Sequence, residues 1–442
     1  MGIMHQFSVY QERRKRLLEH LKKAYPSVEC GAIMLFGACE SGRVLFRQDS
    51  SFYYFTGIEE PAVILVIDFS GKTTLFVPQF KQNRAAWVMA STHISPEKHD
   101  ILCDQVVYLG GPVAGYQMPR GCDKESYRTV IQLLEKLYRE KGSLFVAWNE
   151  DDNFFEQKYK VECLRSLMGG SFPEIRDISA TISFLRREKD REEIECIVQA
   201  IEITRDAQEA AAQTINIGIN EAEVQAAIEF VITSLCARPS FPSIVGSGMR
   251  STVLHYHNNN NYMEAGELVV VDIGAEYGMY CADITRTYPV SGRFSARQRE
   301  LYSLVLEVQE FIAQRAQPGW WLSNAQYPDK SLNHCARKFL AQRGYEEYFI
   351  HGIGHYLGLD VHDVGNYSDP LAEGDVITIE PGIYIPGEAT GIRVEDNYWI
   401  VKNGAVCLSE SIPKSIEAIE ALMEESRGRV LMMSEDRKEI AC

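Results

Sequence analysis

Short apolar runs alternate with helix-like segments in the first third of the chain. Residues 31–36, 62–68 and 73–77 are nearly continuous apolar runs, of the length expected for strands buried on both faces of a sheet. Residues 124–140 carry apolar side chains at helical spacing, and another strand-like run follows at residues 143–148. This alternation of strands and helices predicts an α/β domain.

A charge-dense stretch at residues 186–193 separates this region from the rest of the chain. It opens a long amphipathic helix whose apolar face runs from Ile194 to Ile201. We interpret the charge run as the solvated first turn of that helix. A domain boundary is therefore predicted just before it, giving domains 1–178 and 179–442, the second α+β with several β-hairpins.

The composition excludes several classes of protein. The chain has 442 residues, 45% of them hydrophobic, and a net charge of −16, so it is not largely disordered. An acidic balance argues against binding to the phosphate backbone of nucleic acids. No apolar run approaches the roughly 18 residues that a membrane span requires. We expect no nucleic-acid or membrane partner.

Cysteine usage and the N-terminal segment point to a reducing compartment. The eleven cysteines are odd in number and scattered, which disfavours both a disulfide framework and a zinc ribbon. The N-terminal segment is charged and lacks the apolar core of a signal peptide. We therefore expect a cytoplasmic protein.

Histidines concentrate in the second domain. Six of the ten lie beyond residue 250. Five of those fall into two clusters, His255 with His257, and His351 with His355 and His362. A single histidine of this kind is usually a satisfied core or surface side chain. The clusters become informative only if carboxylates complete a site.

One predicted β-hairpin carries two aspartates. The apolar run that contains Asp272 is followed by a turn signal at residues 277–278 and then by Asp283. A two-residue turn there would place Glu276 opposite Met279 and Asp272 opposite Asp283, with their Cβ atoms about 5 Å apart. Buried carboxylates that close favour a metal ion between them. A surface hairpin with incidental acids is the alternative, which the preceding valines disfavour.

Two glutamates lie in similar settings. Glu380 ends an apolar strand just before a turn, and Glu395 lies within another strand-like run. Arg393, two residues before Glu395, could stabilise a carboxylate or hold it in orientation. Taken alone, either glutamate could be a strand-end charge.

Together these residues form a ligand set of two aspartates, two glutamates and one histidine. Oxygen-rich ligation with one imidazole suits Mn²⁺, with Co²⁺, Fe²⁺ or Zn²⁺ as alternatives. Four carboxylates also match the charge of two divalent ions. Two ions about 3.5–4 Å apart can bridge a water and lower its pKa toward 7, which gives a nucleophile for an amide carbonyl.

The sequence resembles the aminopeptidase P (Xaa-Pro aminopeptidase) branch of the pita-bread metallopeptidases, which also include prolidase, methionine aminopeptidase and creatinase. The similarity covers nearly the whole chain. In the first domain it rests on residues 46–57. In the second it rests on these segments: 244–248, 254–256, 271–274, 283–287, 351–355, 380–382 and 393–395.

This resemblance implies a role for each candidate residue. Asp272 would bind one metal, His355 and Glu380 the other, and Asp283 and Glu395 would bridge both. Glu380 would also shuttle a proton from the bridging water to the leaving nitrogen. The remaining roles are those of side chains around the metals: His255 and His362 would orient the substrate carbonyl, His351 would line the proline pocket, and Tyr384 and Arg393 would support the site.

The function that the resemblance implies is release of the N-terminal residue from peptides with proline in the second position, by attack of a metal-bridging hydroxide. An Xaa-Pro dipeptidase on the same scaffold is the alternative, because the loop at residues 384–391 is short. Methionine aminopeptidase does not need the N-terminal domain, and creatinase lacks the metal ligands. A catalytically silent binding scaffold is disfavoured by the intact ligand set. The resemblance also implies a homodimer or homotetramer.

Overall fold

The chain divides into two compact units, residues 1–186 and 187–442. The predicted domain limit at residues 178 and 179 lies a little before this division and stays a prediction. The computed structural model describes residues 3–42, 44–88, 94–96 and 103–425.

The first unit is built on a six-stranded mixed sheet. Its strands lie in the order β4-β3-β2-β1-β5-β6. The pairs β1–β2 and β2–β3 are antiparallel, and the other three are parallel. The strands are β1 Gly31–Phe36, β2 Ile64–Asp68, β3 Thr73–Val77, β4 Gln105–Tyr108, β5 Ser143–Val146 and β6 Glu174–Asp177, and the helices are α1 Ile3–Ala24, α2 Ser50–Thr56, α3 Arg128–Arg139, α4 Phe155–Met168 and α5 Ser179–Arg187.

The α/β prediction for this unit is confirmed. Every residue of β1 is buried, as its continuous apolar run requires. Helix α3 buries Val130, Leu134 and Leu137, which share one face at helical spacing. These side chains form part of one apolar core with the sheet.

Residues 46–57, which carry the resemblance in this unit, contain the capped helix α2. The carboxylate of Asp49 accepts a hydrogen bond from the backbone N–H of Phe52 and begins α2. Gly57 ends it in the left-handed conformation, with φ of 64°. A side chain at that position would overlap the ring of Tyr10. The cap and the glycine therefore fix both ends of this short helix.

The second unit combines helices with short antiparallel sheets. Its sheets have the orders β12-β9-β8, β11-β10-β7, β13-β16-β17 and β14-β15. The strands are β7 Arg238–Pro239, β8 Ile244–Ser247, β9 Leu268–Ile273, β10 Ala275–Tyr277, β11 Tyr280–Cys281, β12 Ile284–Pro289, β13 Val376–Ile379, β14 Gly382–Ile385, β15 Thr390–Arg393, β16 Asp396–Val401 and β17 Gly404–Cys407, and the helices are α6 Arg191–Thr214, α7 Glu221–Ser234, α8 Ala296–Ala313 and α9 Leu332–Ala341. Apolar side chains of all four helices pack with the strands in a single core.

The interpretation of the charge run as a solvated helical turn is wrong in part. Helix α6 begins only at Arg191, and Asp190 caps it. Arg186, Arg187 and Lys189 precede the helix and are buried. Arg187 and Lys189 are held inside because each forms an ion pair with a buried aspartate.

The predicted pairing of the two aspartates is also wrong. The turn is formed by Gly278 and Met279, with φ of 56° and 71°, the conformation of a tight hairpin turn. Asp272 consequently lies opposite Thr285. Asp283 lies two positions away on the same face. The sequence does not predict this register, because methionine rarely adopts a positive φ.

Within the described residues, none of the helices combines the length and the hydrophobicity needed to cross a membrane. The ten described cysteines are free thiols, and Cys442 lies outside the described residues.

Candidate metal centre and active site

Four acidic side chains and one histidine converge where strands of the second unit begin and end. Asp272 lies in β9, Asp283 just before β12, Glu380 directly after β13 and Glu395 between β15 and β16. His355 Nε2 is 3.4 Å from Asp283 Oδ2 and 3.8 Å from Glu380 Oε1. Asp283, His355 and Glu395 each place one ligand atom within 4.8 Å of the others. The structure therefore brings the candidate ligands together.

Burial makes these carboxylates hard to ionise without a cation. The pKa of Asp283 is raised well above its usual value, first by burial and then by the charges of Asp272 and Glu380. The pKa of Glu395 is raised well above its usual value by burial and by Asp283. Burial also raises the pKa of Glu380. A site that crowds acids away from water is the kind that a divalent cation stabilises.

The donor atoms that remain unused fit a metal. Among the described residues, Asp272 Oδ1, Asp283 Oδ1 and Glu395 Oε1 are buried side-chain oxygens without a hydrogen-bond partner. His355 Nδ1 lies 3.0 Å from the carbonyl oxygen of Tyr356, which can only accept a hydrogen bond. The proton of the imidazole is therefore on Nδ1, and Nε2 presents its lone pair to the carboxylates.

Neighbouring polar groups orient two of the acids. The hydroxyl of Thr285 donates to Glu395 Oε2 at 2.7 Å. The side-chain amide of Asn397 donates to the carbonyl of Asp283 at 2.7 Å and accepts from its N–H at 3.3 Å. Both side chains are buried. They hold the carboxylates at the spacing seen in the site.

A single glutamine on α8 ties the two glutamate-bearing segments together. The side-chain nitrogen of Gln309 lies 3.1 Å from the carbonyl oxygen of Ile379 and 3.2 Å from that of Val394. These carbonyls belong to the residues that directly precede Glu380 and Glu395. Gln309 therefore couples the positions of two glutamates that it does not touch.

A buried ion pair holds the segment after Glu395. Arg286 and Asp396 are both fully buried and lie 2.8 Å apart. Arg286 also donates to the carbonyl of Glu395 at 2.7 Å, and Lys414 pairs with the second oxygen of Asp396. These two cations keep the pKa of Asp396 below its usual value, against the effect of burial. Asp396 is thus a structural carboxylate beside the candidate ligand.

A chain of hydrogen bonds connects the metal site to His351. Arg393 Nη2 donates to Asp272 Oδ2 at 2.6 Å, and its Nη1 donates to the Tyr384 hydroxyl at 2.8 Å. The Tyr384 hydroxyl is 2.9 Å from His351 Nε2. His351 Nδ1 faces the carbonyl of Gly352, so Nε2 accepts from the tyrosine. The carboxylate that Arg393 contacts is that of Asp272, and its role in orienting that group stays a prediction.

Two histidines beside the acids are neutral at pH 7. Burial, followed by the charge of Arg393, lowers the pKa of His351 to about 3. The ring of His362 stacks on that of His355 with centroids 4.0 Å apart. Partial burial, then His355 and His255, lowers the pKa of His362 to about 4. His255 is therefore close enough to His362 to affect its pKa.

The sequence did not reveal several residues that hold the site, including Thr285, Gln309 and Asn397. One signal was available. Gln309 occupies a core position of α8, one turn after Val305 and before Ile312, and a polar side chain in such a stripe is usually hydrogen-bonded. Thr285 and Asn397 lie in buried strands, where a polar residue carries the same implication.

Comparison with known proteins decides the family. The profile of metallopeptidase family M24 matches residues 195–402, and that of the aminopeptidase P N-terminal domain matches residues 10–110. The Xaa-Pro aminopeptidase of Haemophilus influenzae is 31% identical, over 94% of this chain and 96% of its own. This chain belongs to the aminopeptidase P family.

Two further relatives bear on the activity. The structure of Escherichia coli aminopeptidase P with the inhibitor Pro-Leu shares 30% identity and superposes with a TM-score of 0.75, covering 95% of this chain and 99% of the other. The Xaa-Pro dipeptidase of Pyrococcus furiosus is 41% identical over 54% of this chain and 67% of its own. This chain thus has relatives named for both specificities. The prediction of an α/β domain followed by a pita-bread domain is confirmed.

Proposed function

We propose that this member of the aminopeptidase P family is a metal-dependent Xaa-Pro aminopeptidase that releases the N-terminal residue from peptides with proline in the second position. One observation carries the proposal. The buried acids and His355 present unpartnered donor atoms to a common centre, in a chain that aligns with Xaa-Pro aminopeptidases over nearly its full length.

Similarity to the family suggests which residues would hold two divalent ions. Asp272 would bind one ion, His355 and Glu380 the second, and Asp283 and Glu395 would bridge them. Bound there, such ions activate water and polarise a peptide carbonyl. Mn²⁺ is the ion we propose on the oxygen-rich donor set, with Co²⁺, Fe²⁺ and Zn²⁺ as alternatives.

Glu380 is the residue we assign to proton transfer. Its carboxyl is less enclosed than that of Asp283, with side-chain exposures of 18% and 8%. Burial raises its pKa, which improves its ability to take a proton from water near neutral pH. It would pass that proton to the nitrogen that leaves.

The histidines would bind and orient the substrate. Through their ring N–H groups, His255 and His362 would donate to the carbonyl of the bond that breaks. His351 would contact the proline ring, held in place by Tyr384 and Arg393. A bond before proline is a tertiary amide without N–H, so its recognition requires contacts with the ring rather than with a backbone donor.

Product analysis by mass spectrometry tests the proposal. Metal-stripped protein is reloaded with Mn²⁺ and given Ala-Pro-Ala and Ala-Pro in separate reactions, with Asp283→Ala as the inactive control. Release of alanine from the tripeptide, with little from the dipeptide, is expected. Failure of Mn²⁺, Co²⁺ and Zn²⁺ alike to support cleavage of either peptide would overturn it.

A second candidate activity is Xaa-Pro dipeptidase. The identity to the Pyrococcus furiosus dipeptidase favours it, as does the short connection between β14 and β15, whose tip spans Pro386–Glu388. Arg297 fixes that tip with a two-pronged ion pair to Glu388. Preference for Ala-Pro over Ala-Pro-Ala in the same experiment would establish this candidate.

Two further properties belong to the proposal. We propose a homodimer or homotetramer, by similarity to the family, which light scattering during gel filtration would test.

We also propose a cytoplasmic location, because the ten described cysteines are free thiols and such thiols persist in reducing compartments. Fractionation of the source cells would test it.

A further inference from the structure

One buried ion pair in the second unit has no part in the proposed chemistry. Lys189 Nζ is 3.0 Å from Asp363 Oδ2, and each side chain is only 1% exposed. Burying both charges costs desolvation energy that their attraction only partly returns. Such a pair is therefore a poor source of stability and a good means of enforcing one arrangement of the chain.

Asp363 belongs to the segment that carries two of the site histidines. It directly follows His362, whose ring stacks on His355. The N–H of Asp363 and Nδ1 of His355 both donate to the carbonyl oxygen of Tyr356, at 2.9 Å and 3.0 Å. The carbonyl of Tyr356 therefore links the orientation of the His355 ring to the backbone position of Asp363.

The segment closes tightly around the ion pair. A Cβ atom at Gly358 would lie 2.2 Å from Asp363 Oδ2 and 2.8 Å from Lys189 Cε, closer than atoms can approach. Lys189 is fixed in turn, since its N–H donates to the carbonyl of Gly374 at 3.0 Å and the next residue caps α6. The ammonium group is thus presented to the histidine segment from a rigid base.

We propose that Lys189 and Asp363 are positioning residues that set the place of His362 over the metal centre. The proposal rests on the function proposed above, in which His362 orients the substrate carbonyl. Loss of the lysine charge removes the cation that compensates this buried carboxylate. The carboxylate then gains most by turning toward water, which displaces residues 359–363 and His362 with them.

A double-mutant cycle tests the coupling. Lys189→Met is expected to lower kcat/KM for Ala-Pro-Ala by roughly 10- to 100-fold, because a displacement of about 1 Å has costs of this size. In the background of His362→Ala, the same change is expected to cost less than about threefold, since the positioned group is already gone. Multiplicative losses in the double variant would overturn the proposal.

Matched variants separate positioning from general destabilisation. Lys189→Arg keeps the charge and is expected to recover part of the lost kcat/KM. Asp363→Asn removes the other charge and should repeat the loss, which covers the case in which Lys189→Met does not fold. Arg299→Met is the control, because Arg299 pairs with the buried Glu420 elsewhere in the unit. It should lower the unfolding temperature and leave kcat/KM unchanged.

Hydrogen exchange provides a readout that does not depend on turnover. Backbone amides of residues 359–363 are expected to exchange faster in metal-free Lys189→Met than in the parent chain, and unchanged in Arg299→Met. Unaltered exchange at these amides would overturn the positioning role. Inactivity of the parent chain on both peptides would instead refute the proposed function, and the exchange measurement would still test the positioning role.

Discussion

Glu380 differs from the other acids of the site in how it is held. Thr285 and Arg393 bind the carboxylates of Glu395 and Asp272, and Asn397 binds the backbone of Asp283, whereas the carboxylate of Glu380 faces two histidines. His355 Nε2 lies 3.8 Å from one of its oxygens and His351 Nδ1 lies 3.7 Å from the other. Burial raises the pKa of this carboxyl, although a hydrogen bond with Thr378 acts in the opposite direction, so it can accept a proton more readily than an exposed glutamate.

Replacement of Glu380 by glutamine should therefore affect the rate more than the fold. We expect Glu380→Gln to lower kcat on Ala-Pro-Ala by roughly a hundred- to ten-thousandfold, the usual range for loss of a general base. Thermal unfolding should show that the variant is folded. Glu373→Gln, a change at an exposed glutamate, is the matched control. A kcat within a few-fold of the parent value would refute the shuttle.

A thiol in the first unit predicts a loss of stability in alkali. Burial raises the pKa of Cys122 from 9.0 to about 12, despite the opposing charge of Lys160. The folded protein therefore keeps a proton that the unfolded chain loses above about pH 9. Its contribution is complete below that pH and falls by up to about 1.4 kcal/mol per pH unit toward pH 12.

Denaturation by urea, monitored by fluorescence, measures this contribution. Between about pH 8.5 and about pH 10.5, the midpoint of the parent chain should fall further than that of Cys122→Ala. If the urea midpoints of the two proteins fell equally with pH, the pKa of the thiol would be the same in the folded and unfolded chains.

At the scale of elements, the sequence predicts strands β1 and β3 well and the pairing register of the hairpin poorly. Strands β1 and β3 follow directly from continuous apolar runs, because burial on both faces leaves few alternatives. The hairpin that carries Asp272 and Asp283 was placed two positions out of register, because Met279 accepts a positive φ. The two aspartates still lie on one face of the sheet, as predicted, since a shift of two positions preserves the face.

The segment from His351 to His355 contains two glycines that differ in how closely the surrounding atoms approach them. A Cβ atom at Gly354 would lie 2.1 Å from the carbonyl oxygen of Thr378, which belongs to β13. At Gly352 no atom lies within 4 Å of the same position. The backbone of His355 is hydrogen-bonded to that strand. The clash at Gly354 would therefore act directly on a candidate ligand.

Alanine substitutions should separate the two positions. Gly354→Ala is expected to lose about 1–3 kcal/mol of unfolding free energy, typical of an overpacked site, and to bind Mn²⁺ more weakly. Gly352→Ala should retain the stability of the parent chain to within about 1 kcal/mol. Urea midpoints and equilibrium dialysis with Mn²⁺ measure both effects. Equal stability of the two variants would contradict the close packing of this segment on β13.

At the scale of the molecule, metal and protons compete for one set of acids. The pKa values of Asp283, Glu380 and Glu395 are raised in the metal-free fold, so the folded chain holds protons that the unfolded chain has already lost. This contribution to stability is complete below the unfolded pKa values near 4 and declines as the pH rises. Bound cations reverse the trend by stabilising the charged forms.

Metal should therefore protect the fold most at high pH. The unfolding temperature of stripped protein is expected to fall between about pH 5 and about pH 8, and the increase produced by saturating Mn²⁺ should grow over the same range. Calorimetry with and without a chelator gives both temperatures, and Asp283→Asn should reduce the trend. If the increase in unfolding temperature produced by Mn²⁺ became smaller as the pH rises, that result would contradict the raised pKa values.

The side chain of Gln309 has a consequence for how the metal preference of such a site can change. The amide on α8 fixes the separation of two strand ends, and the ions that fit between their carboxylates differ in size and in the coordination number they accept. Substitutions along this helix can therefore retune which ion is accepted while every coordinating residue stays the same. Selectivity in this scaffold is then encoded partly outside the ligands, in a position that comparison of the ligands alone would overlook.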